Sequence, residues 1–548
     1  MGIDWVLTLS GNNNFVIVMD WKQLLSYERE RQSTKDNNRE KFDARTPIES
    51  DFGRVIFSPA CRRLHDKTQV LPLTTDDNIH SRLTHSMEVM NIGLSFALSL
   101  SKSKEFKEKS GLTEEQILHD LSSALRTACL VHDIGNPPFG HFGEEAIQIY
   151  FKSLFSKIAK ISTHNLKSGD KPDDPMTLLL YNYFYEKAKY EYAKQGKGDL
   201  DKQDDLTQKR EICEIYERET DFLKHPYDFT EFDGNAQGFR VISRLQFAGD
   251  LNGLNLTFAS LGAYLKYPNP GPKQKEGGIA VHKHGIFNTE ESLLRKVADT
   301  CGMNINGKIV RHPLAFLMEA ADSICYLVMD IEDGISKKWF TVSNVCEEIL
   351  KSIGDYENEK NKAFVSKIQA LRDNNQLISY KRLIHLRMIL MNYLIELAET
   401  NFIEKLDLID SGEYSKELIE DDENGIAKIL GGFCKKKILC QREIISLELA
   451  GQATINGLLD AYLKILFSEH KSVRNRGKEM ISQSILATVV YEHFDSLSQP
   501  FDIVNLDKLD VIELTMEEKF RLLRDYISGM TDKFALNHNK KLSGQQIY

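Results

Sequence analysis

Apolar residues recur along most of the chain at steps of three and four positions, a spacing that places them on one face of an α-helix. The pattern is clearest in six segments, at residues 85–100, 114–132, 313–331, 376–404, 443–466 and 478–495. Strand-like sequence is sparse, and the best candidates are residues 54–57 and 278–281. The pattern therefore predicts a mostly α fold.

Two segments interrupt the helical pattern. Residues 164–220 are polar and highly charged, which is typical of an insertion built from exposed helices and loops. Residues 267–278 are rich in proline, glycine and lysine and predict a second loop. We therefore expect the chemistry to lie on either side of the charged insertion.

Composition and charge narrow the class of protein. With 548 residues, of which 41% are hydrophobic and 27% charged, the chain has the composition of a soluble globular protein, which argues against wholesale disorder. The formal net charge of -10 argues against a surface built throughout for nucleic acid. The two basic runs at residues 435–437 and 474–478 are interpreted as solvated helix faces or loops, although either could form a local anion site.

Cysteine usage and hydropathy indicate where the protein works. The eight cysteines are scattered without a Cys-x-x-Cys pair, so we expect reduced and mostly packed thiols. No apolar run approaches the ~20 residues that span a bilayer, and residues 15–19 are too short for a signal segment. These features predict a cytoplasmic enzyme with no membrane partner.

The strongest local signal is a histidine and an aspartate, His132 and Asp133, at the end of an apolar helix. The pattern predicts that this helix begins at Thr113, with Gln116 as its capping-box partner. Its apolar stripe runs on into His132, which stands where leucine would be expected. A lone histidine on such a face is more often a hydrogen-bonded core residue, so ligation depends on further members.

Two other helices supply those members. His85 lies in line with Val89 on one predicted helix, and Asp322 continues the apolar stripe of another. Two imidazoles and two carboxylates are costly to bury unpaired, whereas one divalent cation would satisfy all four. Such a mixed nitrogen and oxygen set suits Mn²⁺, Fe²⁺, Co²⁺, Ni²⁺ or Mg²⁺ more than structural zinc.

At these residues the chain resembles the HD phosphohydrolase superfamily, whose H…HD…D signature matches His85, His132, Asp133 and Asp322. Flanking blocks resemble more narrowly the bacterial dGTP triphosphohydrolases, at residues 63–70, 81–89, 131–144, 232–238, 265–267, 319–326 and 525–532. They reach from about residue 50 to residue 536 in family order. Ser323, where many relatives have a second aspartate, and Asp233, where glutamate is common, depart from the pattern.

The resemblance implies a large multi-helical HD-domain core with C-terminal helices packed back on it. It implies hydrolysis of dGTP, or of other dNTPs, to the deoxynucleoside and inorganic triphosphate, with attack at the α-phosphorus. One divalent ion per subunit would polarise a phosphoryl oxygen and help to generate the nucleophile. The implied metal ligands are His85, His132, Asp133 and Asp322.

The resemblance also implies roles for other side chains. His141 is implied as the acid–base residue and Glu144, one helical turn away, as its partner. Arg82 and Lys266 match phosphate contacts, Tyr326 a sugar contact, and Gln69 a contact to the 3′-hydroxyl. The remaining expected substrate residues are Asn235 and Tyr267 in the surrounding pocket, Asp330 on the stripe of Asp322 and Tyr326, and Arg476 from its basic surroundings.

Organisation and partners follow as expectations. The expected divisions are an N-terminal extension with a first helix (1–50), two HD-domain parts (51–160 and 226–340), the charged insertion (161–225) and a C-terminal helical region (341–548). Relatives bind DNA and form hexamers or tetramers, which implies a homo-oligomer and a single-stranded DNA or nucleotide effector. The alternatives are another HD-type nucleotide phosphohydrolase, or a nucleotide-sensing or single-stranded DNA-binding protein.

Overall fold

A computed structural model describes residues 7–9, 15–31, 43–69, 79–246, 250–276, 278–353, 359–374, 377–496 and 503–545. Most of the regular structure in these ranges is α-helical, and only four short strands occur there. The predicted mostly α fold is therefore confirmed.

The helices fall into two lists in chain order. Those of the first half are α1 (Trp21–Leu24), α2 (Pro47–Ile56), α3 (Pro59–Arg63), α4 (Arg82–Lys102), α5 (Lys104–Ser110), α6 (Glu114–Gln116), α7 (Ser122–Val131), α8 (His141–Lys160), α9 (Thr163–Ser168), α10 (Pro175–Lys194), α11 (Asp205–Glu219), α12 (Tyr227–Thr230) and α13 (Gly234–Arg240). Those of the second half are α14 (Phe258–Tyr264), α15 (Glu291–Thr300), α16 (Pro313–Ser336), α17 (Val342–Ser352), α18 (Glu359–Asp373), α19 (Ser379–Glu404), α20 (Leu406–Asp410), α21 (Ile426–Lys437), α22 (Arg442–Leu466), α23 (Lys471–Met480), α24 (Gln483–Ser496), α25 (Met516–Ser528) and α26 (Asp532–Leu542).

Shorter helical turns connect several of these helices. The 3₁₀ turns are Leu64–Asp66, Leu200–Lys202, Asp221–Lys224, Ile279–Val281, Asn288–Glu290, Ile503–Lys508 and Val511–Glu513. The π-helical turns are Ile117–Leu121 and Val241–Leu245. The first π turn joins α6 to α7, so that one continuous helical segment leads to His132. As predicted, it begins at a capping box formed by Thr113 and Gln116.

Two antiparallel pairs make up the strands of the described residues: β1 (Leu7–Leu9) with β2 (Phe15–Ile17), and β3 (Asn304–Ile305) with β4 (Lys308–Ile309). The β3–β4 turn is Asn306-Gly307, and both residues have positive φ, 53° and 80°. This is the geometry that favours an Asn-Gly pair in a two-residue hairpin.

Both strand predictions are wrong. Residues 54–56 belong to α2, because Pro47 and the capping box of Thr46 and Glu49 start a helix that runs through Ile56. Residues 279–281 form a 3₁₀ turn in which the Val281 amide bonds back to the Gly278 carbonyl.

The predicted continuous helix at 478–495 is also wrong. The helix is interrupted at Ile481, whose backbone is extended (φ -84°, ψ 145°). Helix α23 ends there, and α24 begins at Gln483. Ile481 is buried, so its apolar side chain fits the helical pattern while its backbone leaves the helix.

The chain divides into two compact units. The first comprises residues 1–135, 238–242 and 254–449, and the second residues 136–237, 243–253 and 450–548. In the first unit, α4, α7 and α16 pack against one another around buried side chains such as Phe96, Leu125 and Leu317.

The second unit has an aromatic core around Phe151, Phe155, Phe229 and Phe520, whose ring centroids lie 5.1 to 6.3 Å apart. The charged helix α10 of the expected insertion buries Tyr183, Phe184 and Lys187 on one face of this unit. This part of the predicted insertion is therefore a packed helix with a buried face, although its sequence is rich in charged residues.

The two basic runs behave differently. Lys435, Lys436 and Lys437 are exposed at the end of α21, as interpreted. In the other run the interpretation as a solvated face is wrong for Arg474 and Lys478, which are buried. Arg474 forms an ion pair with Asp510, and Lys478 donates to three carbonyl groups of residues 506–509.

The cysteines form no disulfide and are mostly buried, as the sequence predicts. All eight cysteines lie in the described ranges as free thiols, and all except Cys440 are buried. Among the described residues no helix combines the length and apolar character needed to cross a membrane.

Candidate functional site

The first turn of α4 carries two of the predicted site residues, Arg82 and His85. Helix α4 begins here because the Ser81 side chain accepts the Thr84 amide while Thr84 bonds back to the Ser81 amide. Both Arg82 and His85 are buried, and His85 continues into the apolar stripe of Val89. The sequence prediction of a histidine at a core address is confirmed.

His132 and Asp133 follow the last residue of α7. His132 Nδ1 lies 2.7 Å from the Cys129 carbonyl oxygen, to which it donates as Nδ1–H. That bond assigns the lone pair of the neutral ring to Nε2. Nε2 is buried and has no hydrogen-bond partner among the described residues.

Asp322 reaches the two histidines from α16. Its Oδ1 lies 3.2 Å from His85 Nε2 and 3.4 Å from His132 Nε2, and the two imidazole centroids are 5.2 Å apart. One ligand atom from each of the three residues lies within 4.8 Å of the others. Three helices thus converge on one point with two nitrogen donors and one oxygen donor.

Asp133 lies beside this group and not within it. Its Oδ2 is 3.6 Å from His132 Nε2 and forms an ion pair with the Arg82 guanidinium. The structure therefore brings three of the four predicted ligands together and directs the fourth carboxylate towards Arg82.

The electrostatics of the group favour a cation. Burial opposes a charge on His132, but the carboxylates of Asp133 and Asp322 outweigh it and raise its pKa to about 9. Burial likewise opposes the charge of Asp133, but Arg82 holds its pKa down at about 2. A divalent cation would be attracted by the same two carboxylates, and the buried Nε2 of His132 is a fitting donor for it.

Lys266 borders the group on the side of Asp322. Its Nζ lies 3.6 Å from Asp322 Oδ2 and 3.6 Å from Glu319 Oε1. Burial opposes its charge, but Tyr267, Glu319 and Asp322 raise its pKa well above the usual range. Tyr267 is buried, and the ammonium groups of Lys266 and Lys283 lie 5.8 and 5.7 Å from its ring centroid. Lys266 therefore holds a fixed positive charge beside the candidate ligands.

The stripe predicted along α16 is present. Tyr326 lies one turn beyond Asp322 and is 37% exposed, which is unusual for a large aromatic side chain in the middle of a long helix. Asp330, one turn further, is buried, and burial together with Asp333 raises its pKa well above the usual range. The face thus presents a ring to solvent one turn from a buried carboxyl group whose pKa is raised.

Gln69 approaches α4 through backbone pairing. Its amide bonds to the His80 carbonyl at 3.4 Å, and Thr68 pairs with Ser81 in an antiparallel bridge. The Gln69 Oε1 atom is buried without a hydrogen-bond partner in the described part of the chain. Gln69 therefore belongs to the same unit as the metal-ligand candidates and has an unused acceptor.

The pair of His141 and Glu144 lies in the second unit, at the start of α8. His141 Nδ1 is 2.9 Å from Glu144 Oε2, and the His141 side chain is 77% exposed while that of Glu144 is 8% exposed. Glu144 Oε1 also accepts the Gly234 amide at 2.7 Å. The imidazole is thus oriented by a carboxylate that is itself fixed by backbone.

The turn before α8 is tightly built. Gly143 packs so closely that a Cβ atom there would lie 2.0 Å from the Pro138 carbonyl oxygen. The Phe139 amide donates to Asp532 at 2.9 Å, and Phe139 itself has a positive φ of 66°. These contacts hold the start of the helix that carries His141.

Two predicted substrate residues also lie in the second unit. The Asn235 amide and side-chain nitrogen both donate to Asp233 Oδ1, at 2.8 and 2.7 Å. Arg476 is exposed on α23. Their contacts within the unit assign neither of them to a nucleotide.

Sequence reasoning missed two charged pairs of the first unit. Glu319 binds Arg311 at 2.8 Å and faces Lys266, and His80 forms an ion pair with Asp333 at 2.9 Å. Glu319 could have been found, because it stands one turn before Asp322. The pair of His80 and Asp333 gave no signal, since 253 positions separate the two residues.

The chain is similar in sequence to a known domain and to known proteins. A model of the HD domain matches residues 82–226. The deoxyguanosinetriphosphate triphosphohydrolase of Klebsiella pneumoniae subsp. pneumoniae is 30% identical over 557 residues, with 96% of this chain and 99% of the relative covered. Proteins of the same name from Klebsiella pneumoniae (strain 342) and Enterobacter sp. (strain 638) are 30% and 29% identical over 558 and 552 residues, at the same coverages.

Proposed function

The chain belongs to the family of the deoxyguanosinetriphosphate triphosphohydrolases, and from this premise we propose that it hydrolyses dGTP to deoxyguanosine and inorganic triphosphate. Water attacks the α-phosphorus, and the triphosphate leaves as one piece. Other deoxynucleoside triphosphates are candidate substrates of the same reaction. The observation that carries the proposal is the convergence of His85, His132 and Asp322 within 4.8 Å.

One divalent cation per subunit is assigned to His85, His132, Asp133 and Asp322. When bound, such an ion supplies Lewis acidity, which polarises phosphoryl oxygens and lowers the pKa of water. Imidazole and carboxylate donors suit Mn²⁺, Mg²⁺, Co²⁺, Fe²⁺ or Ni²⁺. The Cys129 carbonyl orients His132 by accepting from Nδ1.

Proton transfer is assigned to His141 with Glu144 as its partner. The carboxylate accepts from Nδ1 at 2.9 Å, so Nε2 is the nitrogen that exchanges a proton with the reacting groups. Glu144 also stabilises the imidazolium form. The exposed position of the ring supports this assignment, because a substrate can reach it from solvent.

The nucleotide is assigned to the side chains around the metal ligands. Arg82 and Lys266 supply positive charge to the triphosphate, where separate basic side chains replace a glycine-rich phosphate loop. Tyr326 packs against deoxyribose where a 2′-hydroxyl would lie, and Gln69 binds the 3′-hydroxyl. Tyr267 and Asp330 are the other substrate residues proposed in the first unit. Asn235 and Arg476, in the second unit, stay substrate contacts that only the resemblance and the basic surroundings suggest.

Product analysis tests this function. The purified chain is incubated with each dNTP and with GTP, in Mn²⁺ or Mg²⁺, and the products are separated by chromatography. We expect deoxynucleoside and inorganic triphosphate from dGTP, and slower turnover of GTP. Release of orthophosphate or pyrophosphate would point to another HD-type phosphohydrolase instead.

Two variants assign the chemistry. Asp322→Asn and His141→Gln should each lose at least roughly a hundredfold in kcat. Only Asp322→Asn should lose the rise in thermal midpoint that Mn²⁺ gives. Lys435→Gln is the matched control, because Lys435 is exposed at the end of α21. Full activity in both variants would refute the assignment.

A further inference from the structure

His80 lies outside the sets of residues to which metal binding and proton transfer are assigned, yet it joins α4 and α16, the helices that carry His85 and Asp322. Its Nδ1 lies 2.9 Å from Asp333 Oδ1 on α16, and its Nε2 lies 3.4 Å from Glu88 Oε1 on α4. Hydrogen bonds to Asp333 and Glu88 raise the pKa of His80 to about 10. The imidazole is therefore a cation between two carboxylates.

The backbone of residue 80 is tied to the segment that carries Gln69. The Gln69 amide bonds to the His80 carbonyl at 3.4 Å, and the Arg82 amide bonds to the Lys67 carbonyl at 2.9 Å. Thr68 and Ser81 form the bridge between these two bonds. Movement of His80 would therefore move Gln69 and the first turn of α4 together.

The side chain of His80 is tied to α16, the helix that carries Tyr326. Asp333 is seven positions beyond Tyr326 and three beyond Asp330, so the three side chains lie on one face of α16. Asp333 is 5% exposed and acts on the buried Asp330. Without the charge of His80, Asp333 and Glu88 would lose the cation that lies between them.

We propose that His80 is a positioning residue that holds Gln69 against the Tyr326 face of α16 and thereby sets the selection of deoxyribose over ribose. The inference rests on the proposed function, since it concerns the sugar pocket of the same site. Gln69 and Tyr326 come from separate segments, so a contact that fixes one against the other controls the space left for a 2′-hydroxyl.

The test compares His80→Gln with His80→Arg. Glutamine removes the charge, whereas arginine keeps a permanent charge and can donate to both carboxylates. Values of kcat and KM are measured for dGTP and GTP. The readout is the ratio of kcat/KM for dGTP to that for GTP, which does not depend on the fraction of folded enzyme.

We expect His80→Gln to lower this ratio roughly tenfold, mainly through KM for dGTP, and His80→Arg to keep it within about twofold of the wild type. His119→Gln is the matched control, because His119 is exposed and paired only with Glu49 in the described contacts. An unchanged ratio in His80→Gln, or an equal loss in His80→Arg, would overturn the proposal.

A second readout separates this inference from the proposed function. Equilibrium dissociation constants for dGTP and GTP are measured by the thermal shift that each nucleotide produces. If the wild type does not hydrolyse dGTP, the proposed function fails while the binding ratio still decides the role of His80. An equal weakening of both nucleotides by His80→Gln would reduce His80 to a general structural contact.

Discussion

The close contact between α4 and α7 can be tested by substitution. It matters for the site because it sets the distance between His85 and His132. Gly93 on α4 is buried against Cys129 on α7, and a Cβ atom at Gly93 would lie 2.7 Å from Cys129 Sγ and 3.4 Å from Leu125 Cγ. Cys129 is fully buried, so its sulfur has little room to move. Gly93→Ala must therefore push the two helices apart or displace Cys129.

The expected magnitude follows from two opposing effects. Alanine gains about 1 kcal/mol over glycine in a helix interior, while overpacking of a filled core costs roughly 1–3 kcal/mol. We expect a net loss of about 1 kcal/mol in the free energy of unfolding. Gly432→Ala on α21 is the matched control, because nothing lies within 4 Å of its added methyl group. It should gain about 1 kcal/mol, so the two variants should differ by about 2 kcal/mol.

Thermal unfolding and Mn²⁺ binding provide the assay. The Cys129 carbonyl accepts from His132 Nδ1, so displacement of Cys129 should also reduce the rise in midpoint that Mn²⁺ produces. Cys129→Ala removes the clashing sulfur, and the double variant should recover most of the loss. The reasoning fails if Gly93→Ala is as stable as Gly432→Ala, or if the two substitutions are additive in the double variant.

Three further predictions concern charge. Lys478→Met should lower the free energy of unfolding by about 3 kcal/mol, because three carbonyl groups lose a cationic donor. The control is Lys471→Met on the exposed side of the same helix, which should change that free energy by less than about 0.5 kcal/mol in thermal unfolding. Burial lowers the pKa of His312 from 6.5 to about 4, so the unfolded chain takes up a proton first and stability should fall by on the order of 3 kcal/mol between pH 6.5 and pH 4. His312→Asn should lack that component in midpoints measured across this range; identical pH profiles would contradict it. Chelation of metal should lower the thermal midpoint, and Asp322→Asn should be insensitive to both chelator and added Mn²⁺.

The parts that the sequence predicts well are those with local periodicity. His85 and His132 were found because each occupies an apolar position on its own helix, and burial of both confirms the pattern. The start of the helical segment that leads to His132 was also predictable from a local pattern, since Thr113 and Gln116 form the predicted capping box. Local patterns sufficed here because the core face of a helix is set by spacing alone.

The parts that the sequence predicts poorly depend on pairing between distant segments. Two examples are the ion pairs of Arg82 with Asp133 and of His80 with Asp333. Their partners are brought together only by the fold, so the pairing cannot be recognised in one sequence. The break at Ile481 was missed because a buried isoleucine fits the helical pattern whatever its backbone does. The expected domain divisions, the homo-oligomer and the DNA or nucleotide effector stay predictions.

Hydrolysis of dGTP in ¹⁸O-labelled water, followed by mass spectrometry of both products, tests the central claim most directly. Attack of water at the α-phosphorus predicts inorganic triphosphate with one ¹⁸O atom and deoxyguanosine with none. Label in the deoxyguanosine, or labelled orthophosphate or pyrophosphate as the first product, would contradict the account.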